Sequence, residues 1–198
     1  MFPIKRICPV TMAKQQDYKI VFVAMYYDVD GTTPVNPAYG IDAAAYTLAV
    51  PSTALANSDK YDLFYGVDEV EDFQGVQTTN VTLNRVVAQI NFELSDNAWT
   101  SLGVDASFKS GITISNAPSS MNLWDGTLSG TASVAYEIAA IPAEGRKIGT
   151  AYCLASAEGN QKVDVAISLR NAAGYEVKAA AATAVPVSAN KQTNLIIN

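Results

Sequence analysis

Short stretches of alternating apolar and polar residues run along almost the whole chain, separated by Gly, Pro, Asn and Asp. Alternation places successive side chains on opposite faces of a β-strand, whereas an amphipathic helix repeats after about 3.6 residues. The chain shows hardly any helical period, so the pattern predicts an all-β protein. The predicted strands span residues 18–27, 44–50, 61–67, 81–94, 107–115, 132–139, 148–155, 163–170, 175–187 and 193–197.

Two of these strands show which side faces the core. One face of the strand that starts at 163 is wholly apolar, with Val163, Val165, Ile167 and Leu169. In 81–94 the alternation slips by one residue near Arg85. A β-bulge, or a strand that passes between two sheets, would explain the slip. The one predicted helix is short, at 95–102, with Ser95 or Asp96 as its cap.

Strands at this spacing fill one large β-sandwich or two small ones. The turn-forming sequence near 125–131 predicts a division into an N-terminal β-sandwich at 18–128 and a smaller C-terminal β-sandwich at 129–198. One continuous sandwich is the alternative. Residues 1–17 are predicted to be disordered or processed.

The composition excludes several function classes. The chain carries 13 Lys and Arg against 19 Asp and Glu, a formal net charge of −6, so we expect neither nucleic acid nor an anionic lipid surface as a partner. It has no histidine, which removes Ser-His-Asp and Cys-His catalysis and the common zinc sites. Cys8 and Cys153 have no second thiol nearby in sequence and predict neither a zinc cluster nor a disulfide framework. We therefore expect no enzyme activity, no cofactor and no metal site.

Two weaker interpretations involve carboxylates and aromatic residues. Asp28, Asp30 and the acidic run at 68–72 could serve a divalent-metal hydrolase, although a solvated acidic loop is the simpler interpretation. Trp99 and Trp124 lie beside predicted turns, where either ring could stack on a sugar. Packing in the core is the default expectation for both tryptophans.

Five segments carry a family resemblance. They are YKIVFVA at 18–24, YDLFYG at 61–66, VTLNRVVAQIN at 81–91, NAP at 116–118 with NLWDGTLSG at 122–130, and VPVSANKQTN at 185–194. In this order they resemble the fimbrillin-like (Mfa-like, FimA-type) surface proteins of Bacteroidales, and the VTLNRVVAQIN strand is the most specific of them. The chain departs from the family pattern at Ala189, where arginine is common. Residues 1–14 also lack the apolar core of a lipoprotein signal.

The resemblance implies a pair of Greek-key, transthyretin-like β-sandwiches. It implies a structural or adhesive role as a subunit or accessory component of fimbriae (pili), at the cell surface or outer membrane, with a lipoprotein precursor anchored to the membrane. Proteins of this kind join by β-strand exchange, so other fimbrial subunits or a second copy of the chain are the expected partners.

Strand exchange needs an unpaired sheet edge and an extended apolar donor. The candidate segments here are 177–187 and 193–197, and the residues expected to carry the exchange are Val177, Val185, Val187, Leu195, Ile196 and Ile197. The alternative is that both segments are ordinary strands of the chain's own sheets. A second function class remains open, in which the protein is a surface β-sandwich module that binds a carbohydrate or another host ligand.

Overall fold

The protein is built almost entirely from strands, as the alternation predicts. The computed structural model describes residues 11–30, 33–35, 37–142 and 145–198. The strands are β1 (Tyr18–Met25), β2 (Asp28–Asp30), β3 (Thr33–Val35), β4 (Gly40–Asp42), β5 (Thr47–Ala49), β6 (Thr53–Leu55), β7 (Leu63–Val70), β8 (Asn84–Arg85), β9 (Val87–Leu94), β10 (Lys109–Ala117), β11 (Ser120–Asn122), β12 (Leu128–Ser129), β13 (Ala132–Ala140), β14 (Lys147–Leu154), β15 (Gln161–Arg170), β16 (Glu176–Val187) and β17 (Gln192–Ile197); helix α1 spans Asp96–Leu102, and a 3₁₀ turn spans Asp59–Tyr61. The predicted all-β sandwich class is confirmed.

Two sheets pack face to face to form what we call the large sandwich. One has five strands in the order β16-β15-β10-β13-β6, and the other has three in the order β14-β9-β17. Their facing side chains form one apolar core, whose largest members include Ile90, Phe92, Leu94, Ile112, Ile114, Ile148 and Leu169. Full burial of one such side chain stabilises the fold by about 1.5–3 kcal/mol.

Local sequence signals shape the large sandwich. The predicted core face of β15 is confirmed, since Val163, Val165, Ile167 and Leu169 are all buried. Helix α1 begins after Ser95, whose hydroxyl accepts a hydrogen bond from the Ala98 N–H, as an N-cap should. It ends at Gly103, which adopts a left-handed φ of 62° that glycine tolerates best.

A second apolar core belongs to what we call the small sandwich. Its sheets have the orders β1-β7-β8 and β12-β11-β5-β4, and β2 and β3 pair as a separate two-stranded sheet. The buried residues of this core are Tyr39, Leu48, Leu63, Val87, Met121, Leu123, Tyr152 and Leu154. Val87 lies on β9 and Leu154 on β14. One end of the β14-β9-β17 sheet therefore takes part in both cores.

The slip predicted near Arg85 marks a strand that passes between the sandwiches. β8 pairs with β7 in the small sandwich, and β9 starts two residues later in the β14-β9-β17 sheet of the large sandwich. Between them, the Val86 N–H bonds to the Leu63 carbonyl and the Val86 carbonyl accepts the Ala155 N–H. The apolar alternation changes phase at this point because the chain changes its partner sheet.

Strand pairs cross the division that the sequence predicts between 128 and 129. β10 pairs with β13 and β15, and β9 pairs with β14 and β17. Near the predicted start of the first sandwich, the Gln15 N–H bonds to the Phe73 carbonyl, and the Phe73 N–H bonds to the Gln16 carbonyl. The domain boundaries themselves stay a prediction.

Candidate functional site

The segments predicted for strand exchange form β16 and β17, and each lies at the edge of its sheet. Among the described strands, β16 pairs with β15 alone, and β17 pairs in parallel with β9 alone. Val185, Val187 and Ile197 are buried, Val177 and Leu195 pack half-buried against the core of the large sandwich, and Ile196 is 66% exposed. Most of these side chains hold β16 and β17 in the chain's own sheets. We therefore consider the outer edges of the two strands as surfaces that accept a strand from a partner.

The outer edge of β16 is protected against pairing. Val163 pairs with Val185 and Val165 pairs with Ala182, so β16 holds one extra residue at this point, which is a β-bulge. Ala184 in the bulge has a φ of 56°, and its N–H donates to the Asp164 Oδ1 at 2.8 Å. Pro186 lacks an N–H, and Lys178 adds a charge. Bulges, prolines and lysines are the devices by which natural edge strands avoid unwanted partners.

The outer edge of β17 carries none of these devices. Its sequence, QTNLII, contains no proline, glycine or charged residue. The Gln89 N–H bonds to the Lys191 carbonyl and the Ser95 N–H to the Ile197 carbonyl, which fixes the phase of the parallel ladder. In that phase the backbone groups of Gln192, Asn194 and Ile196 point away from β9. They present a row of donors and acceptors for another strand.

The remaining edge strands of the large sandwich are less suited than β17 to pair with a partner strand. β6 is only three residues long. β14 is buried at every position except Lys147, and the Asn57 N–H bonds to its Thr150 carbonyl from the outside. Of the edge strands in this sandwich, β17 is therefore the one best suited to accept a partner.

A ladder of side-chain amides holds β17 against β9. Asn91 Nδ2 donates to Asn194 Oδ1 at 2.8 Å, and Gln192 Nε2 donates to Gln89 Oε1 at 3.2 Å. Asn91 Oδ1 also accepts from Gln89 Nε2 at 2.8 Å and from Thr150 Oγ1 at 3.1 Å. The four amide side chains come from the AQIN and KQTN motifs. These motifs lie far apart in sequence and meet only in the fold.

The two tryptophans have different surroundings. Trp99 packs half-buried against the core of the large sandwich, in line with its default expectation. Trp124 is 47% exposed, so core packing is the wrong expectation for it. It follows β11 in a tight turn, where its N–H bonds to Asn122 Oδ1.

The carboxylates proposed for a hydrolase are not gathered into one site. Asp28 Oδ1 accepts from the Tyr26 hydroxyl and lies 3.3 Å from Lys60 Nζ, whereas Glu69 pairs with Lys19 at 3.2 Å. Within the described ranges, no three His, Cys, Asp or Glu side chains are arranged to hold a metal ion. Cys153 is buried and unpaired, and Cys8 lies outside the described residues.

These features define an all-β sandwich protein in which, among the described strands of the large sandwich, β17 has the least protected edge. The chain belongs to a family of unknown function, DUF6562, whose model matches residues 7–196. No curated protein sequence matches the chain. In the part that the structure describes, no helix is long and apolar enough to cross a membrane.

Three solved structures from Bacteroidales are similar to this chain. A candidate polysaccharide-binding protein (DUF1812) from Bacteroides thetaiotaomicron is 17% identical, with 85% of this chain and 60% of that chain covered and a TM-score of 0.51. A candidate adhesin from Bacteroides ovatus is also 17% identical, with 83% and 55% covered and a TM-score of 0.41. The fimbrial anchor protein Mfa2 from Porphyromonas gingivalis is 14% identical, with 93% and 69% covered and a TM-score of 0.39.

At 17% identity and a TM-score of 0.51, the similarity to the DUF1812 protein supports the fold alone. The chain spans 55% and 60% of the lengths of the two Bacteroides proteins, which is less than two thirds of either. The family model that matches is one of unknown function. Membership of the fimbrillin-like proteins therefore remains a prediction from the motifs.

Proposed function

We propose that the protein is a fimbrillin-like structural and adhesive component of the cell surface, without enzyme activity, and that it accepts a β-strand along β17. The donor is an extended segment of another fimbrial subunit or of a second copy of the chain. The observation that carries this proposal is the unprotected outer edge of β17 beside the protected edge of β16. The order of the motifs and the sandwich fold support the same function.

The open edge offers both parts of a strand-addition site. Gln192, Asn194 and Ile196 supply backbone donors and acceptors, and each new hydrogen bond contributes about 1 kcal/mol net. Ile196 adds an exposed apolar side chain that a donor residue can cover. Backbone bonds provide affinity in this mode of recognition, and contacts between alternate side chains provide specificity.

Light scattering on the purified chain, with and without a synthetic peptide of residues 177–198, tests the proposal. We expect dimers or polymers that grow with concentration, or capture of the peptide with a rise in the melting temperature. Ile196→Pro removes an outward N–H, and Ile196→Lys places a charge on the edge. Both should abolish association, because each is a natural means of protecting an edge strand.

Val76→Lys is the matched control, since it adds the same charge at a fully exposed loop position. It should associate as the unmodified chain does. A strict monomer that ignores the peptide would contradict the addition of a strand from a second copy at β17. Association that survives both Ile196 variants would contradict the assignment to this edge.

A further inference from the structure

Two large, exposed aromatic rings contact each other edge to face at one end of the small sandwich. Trp124 is 47% exposed and Tyr46 is 52% exposed. Their ring centroids are 5.6 Å apart, with an angle of 63° between the ring planes. Single exposed aromatic residues need no explanation, but an adjacent pair of this size forms an apolar surface that a partner can cover.

The backbone holds the two rings together at some cost. Tyr46 lies in the turn between β4 and β5, and its φ of 52° is left-handed, a conformation that disfavours residues with a bulky side chain. The Leu123 N–H bonds to the Tyr46 carbonyl at 2.7 Å, which ties this turn to the one that carries Trp124. Strained residues of this kind concentrate at ligand-binding sites, where the strain keeps a side chain in position.

Charged groups lie around the pair of rings. Lys19 Nζ lies over one face of the Trp124 ring, 4.8 Å from its centre, and 3.2 Å from Glu69 Oε1, so the opposite face of the ring is the one left for a ligand. Asp125 neighbours Trp124 in sequence. Hydrogen bonds from Thr127, assisted by the charge of Lys19, lower the pKa of Asp125, so its carboxylate is ionised at neutral pH. The surroundings therefore combine the donors of an ammonium group with the acceptors of two carboxylates.

We propose that Tyr46 and Trp124 form a stacking platform for a pyranose ring of a neutral polysaccharide, with Lys19, Glu69 and Asp125 bonding its hydroxyl groups. A pyranose has an apolar face of C–H groups that packs on an aromatic ring, and its rim of hydroxyls needs both donors and acceptors. One cation and two carboxylates give the platform a net charge of −1, and the whole chain has a formal net charge of −6. This negative charge disfavours an acidic polysaccharide.

This site is separate from β17 and independent of strand addition. Lys19 and Glu69 lie on β1 and β7, and Tyr46 and Trp124 lie in the turns after β4 and β11. None of these elements belongs to the three-stranded sheet that contains β17. The protein could therefore hold a glycan and a partner strand at the same time.

Fluorescence titration tests the platform with little ambiguity. Trp99→Phe leaves Trp124 as the only indole, so its emission reports on the site directly. The probes are the neutral hexasaccharides of glucose with β1,4 and α1,4 linkages and of mannose with β1,4 linkages, with oligogalacturonate as the acidic comparison. We expect a saturable change in emission at millimolar or lower concentration with a neutral probe, and none with oligogalacturonate.

Variants then assign the binding to both rings. In calorimetry, Trp124→Ala and Tyr46→Ala should each weaken binding by about tenfold or more, the size of one lost stacking contact. Tyr175→Ala removes an exposed ring at a distant turn and should leave binding unchanged. Circular dichroism shows whether each variant folds, and Trp124→Leu and Tyr46→Leu replace any variant that does not.

The proposal is overturned if no neutral hexasaccharide alters Trp124 emission, or if the Tyr46 variants bind as tightly as the unmodified chain. The Ile196→Lys chain should bind the hexasaccharide normally, and the Trp124→Ala chain should scatter light as the unmodified chain does. Failure of the platform is thereby distinguished from failure of strand addition.

Discussion

The side-chain amide of Asn91 donates a hydrogen bond to Oδ1 of Asn194 at 2.8 Å. This bond connects β9, the central strand of the β14-β9-β17 sheet, to β17 at the open edge of that sheet. Asn91 is only 7% exposed, and its own Oδ1 accepts from Gln89 and Thr150. A buried amide with all of these partners is a stabilising element, but it becomes costly when one partner is lost.

Asn91→Ala should lower the free energy of unfolding by about 2–3 kcal/mol, because it leaves the buried Thr150 hydroxyl without its acceptor and also removes the acceptor of Gln89 Nε2. Urea unfolding followed by circular dichroism measures the change. Gln192→Ala removes an exposed member of the same ladder and should cost less than about 0.5 kcal/mol. Equal losses in the two variants would contradict the central role of Asn91.

Ala184→Gly should stabilise the protein by about 1 kcal/mol, because the left-handed φ of 56° penalises alanine and not glycine. The matched control is Ala181→Gly on the same strand, where φ is not positive. This control should destabilise by about 0.5–1 kcal/mol, since glycine only adds freedom to the unfolded chain there. Thermal unfolding of both variants checks the prediction, and a stabilising Ala181→Gly would refute it.

Gly66→Ala should destabilise the protein severely. A Cβ at this position would lie 2.7 Å from the Thr82 carbonyl oxygen and 2.9 Å from Leu83 Cδ2, so the 81–83 segment would have to move away from β7. We expect a loss of about 2 kcal/mol or more in urea unfolding. At Gly40 the same substitution meets only the Ala49 Cβ at 4.0 Å, and it should be tolerated.

Stability should fall at alkaline pH. Burial raises the pKa of Tyr39 and Tyr136 above the usual value of 10.0, and burial with the nearby Asp59 raises that of Tyr152. Burial also raises the pKa of the Cys153 thiol from 9.0 to about 12. Above about pH 9 the unfolded chain therefore loses protons that the folded chain keeps, so each step in pH favours unfolding.

Urea midpoints measured from about pH 8 to pH 11 should be constant at first and then fall. Tyr136→Phe removes one buried phenol and should make the fall less steep, although it costs some stability at every pH because the Tyr136 hydroxyl bonds to the Tyr152 carbonyl. An unchanged midpoint up to pH 11 would show that these groups titrate normally in the folded chain.

Much of the strand pattern can be predicted from the sequence, because it depends on local alternation. The face of β15 and the Ser95 cap follow from residue type and spacing alone. The change of phase near Arg85 also revealed a real break, although alternation could not say whether a bulge or a change of sheet caused it. Each of these features is decided within a few residues of the chain.

The candidate sites depend on contacts between distant positions. Tyr46 and Trp124 meet because β5 pairs with β11, and short strands of three residues leave little periodic signal. The openness of β17 depends on its parallel pairing with β9, which no local pattern specifies. The sequence therefore identified the edge residues without indicating which edge is protected.

The parallel pairing of β17 with β9 also has a consequence for how the chain folds. Asn91 and Asn194 are 103 positions apart, and β14, the other neighbour of β9, also follows it by many residues. Contacts over such separations form late. A chain synthesised from its N-terminus therefore has an unpaired edge on β9 until β17 has been made. Such an intermediate is prone to aggregation and is a natural substrate for a chaperone that holds it unfolded until β17 can close the sheet.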